Sequence, residues 1–62
     1  MDSREVLRQL KADGWVVVAQ EGSHIQLRHP RKPGRVTVPH PTKDLKIGTL
    51  ESIERQAGVT FG

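Results

Sequence analysis

No cysteine occurs in this 62-residue chain, so one apolar core must hold it together without disulfides or thiolate-metal sites. A domain of this size buries only about 60% of the surface its unfolded chain exposes. That leaves no room for an enclosed active-site cavity, and any chemistry has to take place on an open face or in a shallow groove. Such a surface suits a polymer better than a small metabolite. Residues 1–62 therefore read as a single domain. The longest apolar run, Trp15 to Ala19, is far short of the ~20 residues that span a bilayer. The opening Met-Asp-Ser-Arg-Glu carries no apolar leader, and the cytoplasm is the expected location.

Local patterns divide the chain into five elements. Asp2 to Asp13 reads as a helix, with Asp2 as its cap, Glu5 three residues on, and Val6, Leu7 and Leu10 forming one apolar stripe. Gly14 stands where such a helix ends. Trp15 to Glu21 is rich in β-branched residues and reads as a strand, but it is apolar in both phases, so its covered face stays open at this stage. Gly22-Ser23 fits a two-residue hairpin turn. From His24 to about His29 the alternation is clear, with Ile25 and Leu27 on one side and His24, Gln26 and Arg28 on the other. Pro30 to Gly34 is a turn, and Arg35 to Val38 a third strand with Val36 and Val38 pointing one way. Pro39-His40-Pro41 reads as an extended surface segment, since proline cannot pair within a central strand. From about Asp44 a last helix begins. Its apolar face is Ile47, Leu50, Ile53 and Ala57, and it ends at Gly58. Val59 and Phe61 are expected to fold back onto the core. This order predicts an α+β domain in which a three-stranded antiparallel sheet carries both helices on the face of Ile25 and Leu27. The opposite face, with His24, Gln26 and Arg28, is left open.

Charge points the same way. Arg28, Arg31, Lys32, Arg35, Lys43 and Lys46 fall in one stretch with a single acid, Asp44, so that stretch carries +5; the other four bases and six acids sum to −2. A basic half on a nearly neutral body is the footprint of a nucleic-acid partner. The six bases are the candidate phosphate contacts. Trp15 and Phe61, the only large aromatics, are expected in the core, so contact with the backbone is favoured over base stacking.

Among groups able to do chemistry, His24 stands out, at the mouth of the turn on the open side of the sheet. An imidazole, with an ordinary pKa of about 6.5, can give and take protons near neutrality. RNA chain cleavage needs such a group, because its 2′-hydroxyl attacks the neighbouring phosphate once deprotonated. A metal site is not expected. His24 and His29 are an odd number of residues apart on one strand and face opposite ways, and His40 sits between prolines with no carboxylate at ligand spacing. His29 shares the phase of Ile25 and Leu27 and should be a satisfied, partly buried side chain, with His40 at the surface or in an interface. Ser23 and His24 are adjacent and point apart, so they form no nucleophile–base pair.

Leu10, Gly14-Trp15, Gly22-Ser23-His24, Val36-Thr37-Val38-Pro39-His40-Pro41, Gly48-Thr49-Leu50, Ile53 and Gln56-Ala57-Gly58 occur in an order that resembles the HicA family of type II toxins, over about Ser3 to Gly58. Leu27 departs from the family, which often has an aromatic there, and the segment after Gly58 is short. The resemblance implies a double-stranded-RNA-binding-like α-β-β-β-α fold. It also implies a ribosome-independent mRNA interferase that arrests translation and growth without a cofactor, with its catalytic histidine at His24. Ser23 and the six bases would contact the RNA. A HicB-type antitoxin is the implied protein partner, covering the face of His24. The competing expectation is a non-catalytic module of the same fold that binds structured RNA.

Overall fold

A computed structural model describes all of residues 1–62. Helix α1 spans Ser3–Ala12, strands β1, β2 and β3 span Val16–Glu21, His24–Arg28 and Arg35–Pro39, and helix α2 spans Ile47–Ala57. The strands form one antiparallel sheet in the order β1-β2-β3. The architecture is the expected α-β-β-β-α, with one face of the sheet under the helices and the other open. No helix is long and apolar enough to cross a membrane.

Both ends of α1 form as its sequence dictates. Asp2 accepts the amide N–H of Glu5 at 2.8 Å, a capping bond of the kind whose loss costs about 1 kcal/mol. Glu5 does not complete a reciprocal capping box. Its carboxylate turns along the helix to Arg8 and to Gln9. At the other end Gly14 adopts φ 108°, a left-handed step open to glycine at no steric cost.

The core is one cluster of Val6, Leu7, Leu10, Trp15, Ile25, Leu27, Val36, Val38, Leu45, Ile53 and Ala57, with Leu50, Val59 and Phe61 packed on its edge. Ile25 and Leu27 lie under the helices, and their cross-strand partners Val38 and Val36 share that side. The aromatic rings and the chain end go where the pattern placed them.

Four boundaries differ from the sequence reading. Trp15 precedes β1 instead of opening it, because its ring is drawn into the core at 1% exposure. β2 stops at Arg28, before His29. β3 continues through Pro39, which pairs with His24; proline is tolerated because β3 is an edge strand. α2 starts at Ile47, not near Asp44, with Lys46 as an N-cap that makes no side-chain capping bond. This last shift changes the core. Ile47, expected on the apolar face, is 77% exposed, and Leu45 in the preceding loop is buried in its place. The loop is pinned there by the Leu45 N–H to Met1 carbonyl bond at 2.9 Å.

The undecided phase of β1 also has a structural answer. The pairing register slips between Val17 and Ala19, a bulge that leaves one residue of β1 unpaired. β1 is an edge strand at the margin of the helix layer, whose contacts with the sheet concentrate on β3. Val16, Val17 and Val18 are therefore all exposed, at 57%, 39% and 50%.

Candidate functional site

The open face of the sheet is built by three strands in register. His24 lies opposite Glu21 across the Gly22-Ser23 turn and opposite Pro39 on β3, Gln26 opposite Thr37, and Arg28 opposite Arg35. Directly opposed residues share a face, so Glu21, His24, Gln26, Arg28, Arg35 and Thr37 form one surface. Gly22, at φ 58°, takes the left-handed step that closes the two-residue turn and sets His24 at the sheet's end. His24 is exposed, while Ile25 beside it is buried.

A hydrogen-bonded chain crosses this surface. Arg35 donates from Nη1 to Gln26 Oε1 at 2.6 Å, and Gln26 donates from Nε2 to Glu21 Oε1 at 2.9 Å. The guanidinium and the carboxylate are thus fixed at its two ends. Arg28 and Arg35 are like charges in direct cross-strand opposition, an arrangement that destabilises a sheet on its own and that an anion laid between them would relieve.

The six bases do not form one patch. Arg28, Arg31 and Arg35 cluster at the end where β2 passes into β3, about 13 Å along the strand from His24 at 3.3 Å per residue. Lys43 and Lys46 follow β3, beyond the opposite end of the sheet, and both are exposed. Lys43 lines a shallow cavity of about 290 Å³ with Asp2, Ser3, Arg4, His40 and Thr42. Lys32 is a correction to the sequence reading. Its ammonium bonds Asp13 Oδ2 at 2.7 Å and the carbonyls of Ala57 and Gly58 at 3.0 and 3.3 Å. An ammonium has three N–H donors, and all three serve as a staple joining α1, the β2–β3 loop and the end of α2. None remains for a phosphate. The same contact holds the Asp13 carboxyl below its usual range, mainly through the hydrogen bond from Lys32.

The three histidines lie in three environments and do not converge; no three His, Asp or Glu side chains gather as metal ligands. His29 is structural, as its phase suggested. Its side chain is 4% exposed. Nδ1 accepts the backbone N–H groups of Arg31 and Lys32 at 3.0 and 3.2 Å, so the ring proton resides on Nε2 and is donated to the Asp13 carbonyl at 2.8 Å. The ring meets Trp15 edge to face, with centroids 5.3 Å apart. His40 follows Pro39 onto the helix side of the sheet, away from His24. Its backbone N–H donates to the Ser23 carbonyl at 2.7 Å, and its Nδ1 lies 2.7 Å from Ser3 Oγ. Ser3 is buried, and its hydroxyl oxygen already accepts the Thr42 N–H at 2.9 Å. The Ser3–His40 hydrogen bond thus ties the start of α1 to the segment that follows β3.

Glu21 is the residue that sequence reasoning missed. The unresolved phase of β1 hid its face. The signal was present nonetheless, because a two-residue turn makes residues 21 and 24 direct partners on one side.

A solved chain of a "HicA3 and HicB3 toxin-antitoxin complex" has the same architecture, with a TM-score of 0.88, 29% sequence identity, and all of both chains covered. The fold and its exposed sheet face thus place the protein among the small toxins of toxin-antitoxin systems. No curated protein matches by sequence. The family profile described as the HicA toxin of bacterial toxin-antitoxin systems matches residues 3–59. This chain belongs to the HicA toxin family.

Proposed function

We propose that this toxin is an endoribonuclease that cuts mRNA independently of the ribosome, using His24 for proton transfer and no metal ion, and so arrests translation and growth. The observation that carries this reading is the position of His24, an exposed imidazole on the uncovered sheet face of a HicA-family chain, with Arg28 and Arg35 further along that surface. RNA lies across the face. Arg28, Arg31 and Arg35 hold phosphates at one end, Lys43 and Lys46 hold them beyond the other, and Ser23 shapes the turn that presents His24. An open face of this kind fits a chain-like substrate.

The partner is a HicB-type antitoxin that covers the face carrying His24. The relative with 29% identity was solved as a complex with HicB3, and a basic face suits a neutral or acidic partner. The proposed setting is the cytoplasm, where mRNA and such a partner meet.

The test uses purified wild-type protein and His24→Ala on mRNA, with and without a chelator, alongside growth after induction of each. The expected result is cutting and growth arrest by wild type in both conditions, and a rate about 10²- to 10⁴-fold lower for His24→Ala, the range a proton-transfer group contributes. Equal cutting by both forms removes His24 from the mechanism. Loss of cutting only with chelator establishes a metal. Salt-sensitive RNA binding without cutting by the wild type leaves a binding module.

A further inference from the structure

We propose that Glu21 is the general base of the cleavage reaction and that His24 is its general acid. The assignment rests on the ribonuclease reading above and supplies the second proton-transfer group. Three observations support it. Glu21 is the only acidic residue in any of the three strands. It lies directly opposite His24 across a two-residue turn, a separation of about 5 Å between Cβ atoms on one face. Its carboxylate is also oriented: Oε1 accepts from Gln26, whose own carbonyl is held by Arg35. That leaves Oε2 available as a base.

Most of the remaining acids are engaged elsewhere. Asp2 caps α1, Glu5 pairs with Arg8, and Asp13 with Lys32. Asp44 meets the N-terminal ammonium, and Glu54 accepts the Phe61 N–H. Glu51 lies exposed on α2, away from the sheet's open face. No other carboxylate shares the surface with His24.

The chemistry balances without any further reactant. A phosphodiester sits between the two side chains. Glu21 takes the proton of the 2′-hydroxyl, and the 2′-oxygen forms a bond to phosphorus. The bond from phosphorus to the 5′-oxygen breaks in line, and protonated His24 gives its proton to that leaving oxygen. The products are a 2′,3′-cyclic phosphate and a free 5′-hydroxyl. In-line displacement needs its base and acid on opposite sides of phosphorus, and two side chains rising from opposed strand positions meet that requirement. Arg35, anchored through one nitrogen, has N–H donors left for a phosphate further along the RNA strand.

The experiment compares wild type, Glu21→Gln and His24→Ala on two RNA substrates, one natural and one with sulfur in place of the 5′ leaving oxygen. The sulfur departs without protonation. Glutamine keeps a carbonyl acceptor for Gln26 and cannot act as a base, and the exposed position predicts unchanged melting. On natural RNA both variants should fall by about 10²-fold or more. Glu21→Gln should also lose the acid limb of the pH–rate profile. On the sulfur substrate His24→Ala should recover to near the wild-type rate, whereas Glu21→Gln should stay slow. If Glu21→Gln cuts natural RNA at the wild-type rate with an unchanged profile while His24→Ala is inactive, the base is not Glu21 and the nuclease reading survives. Recovery of Glu21→Gln on the sulfur substrate, or none for His24→Ala, overturns the division of roles. Failure of wild type to cut either substrate removes the nuclease reading itself.

Discussion

Gly14→Ala should be among the most damaging single-atom additions to this protein, and its magnitude follows from two observations. The backbone at Gly14 has φ 108°, a conformation that costs a side-chain-bearing residue about 1–3 kcal/mol. A Cβ there would also lie 2.7 Å from His29 Nε2, closer than such atoms approach. The imidazole would have to shift, breaking the hydrogen bond to the Asp13 carbonyl, worth about 1 kcal/mol. Together the loss is about 3 kcal/mol, against a total stability of about 3–9 kcal/mol at 0.05–0.15 kcal/mol per residue for a chain this short. Thermal unfolding followed by circular dichroism should show Tm lower by about 12–24 °C. The decisive comparison repeats the substitution in a His29→Ala background. With the ring gone only the backbone cost remains, so Gly14→Ala should then cost about 2 kcal/mol, leaving a coupling of about 1 kcal/mol. An identical loss in both backgrounds would refute the role given to His29. A loss under about 0.5 kcal/mol in the wild type would refute the backbone argument as well.

Three further outcomes are expected. Arg35→Ala should weaken RNA binding and reduce the slope of log affinity against log salt by about 1, whereas Lys32→Ala should lower Tm and leave that slope unchanged, as measured by filter binding from 50 to 200 mM salt. Leu45→Ala should destabilise by about 2–5 kcal/mol as a core truncation, and Ile47→Ala by less than about 0.5 kcal/mol as a surface change; urea titration separates the two. The Arg8 hydrogen bond, and after it Gln9, holds the Glu5 carboxyl at about 2, and Lys32 holds Asp13 low. Folded-state carboxyls depressed in this way add stability above their unfolded values and lose it as pH falls through the folded ones, so urea midpoints should decline from about pH 5 toward pH 2. Asp13→Asn should make that decline shallower.

Alternation alone places His24, Gln26 and Arg28 on the open face and gives His29 a satisfied, shielded position. Both readings hold because a strand has only two sides and Ile25 and Leu27 fix which one is buried. Lys32 could not be read in the same way. Its charge placed it with the phosphate contacts, but its partners are separated from it by 19 to 26 residues in the chain, and nothing local announces them. Ile47 and Leu45 show the same limit. Helical spacing marks Ile47 as inward-facing, yet the position where the loop from β3 delivers the chain into α2 decides which of the two reaches the core.

The sequence by itself determined the order of elements, the inward and outward residues of β2 and β3, the cap of α1 and the positive charge of the middle of the chain. These follow from interactions within a few residues: the two-residue period of a strand, the 3.6-residue period of a helix, and the backbone freedom of glycine. Only the tertiary structure decided that β1 is an uncovered edge, that the Glu21 carboxylate is oriented by Gln26 and through it by Arg35, and that Lys32 is a staple and not a phosphate contact. Each of these depends on cross-strand register or on packing between distant segments, and such contacts are fixed only when the whole core closes.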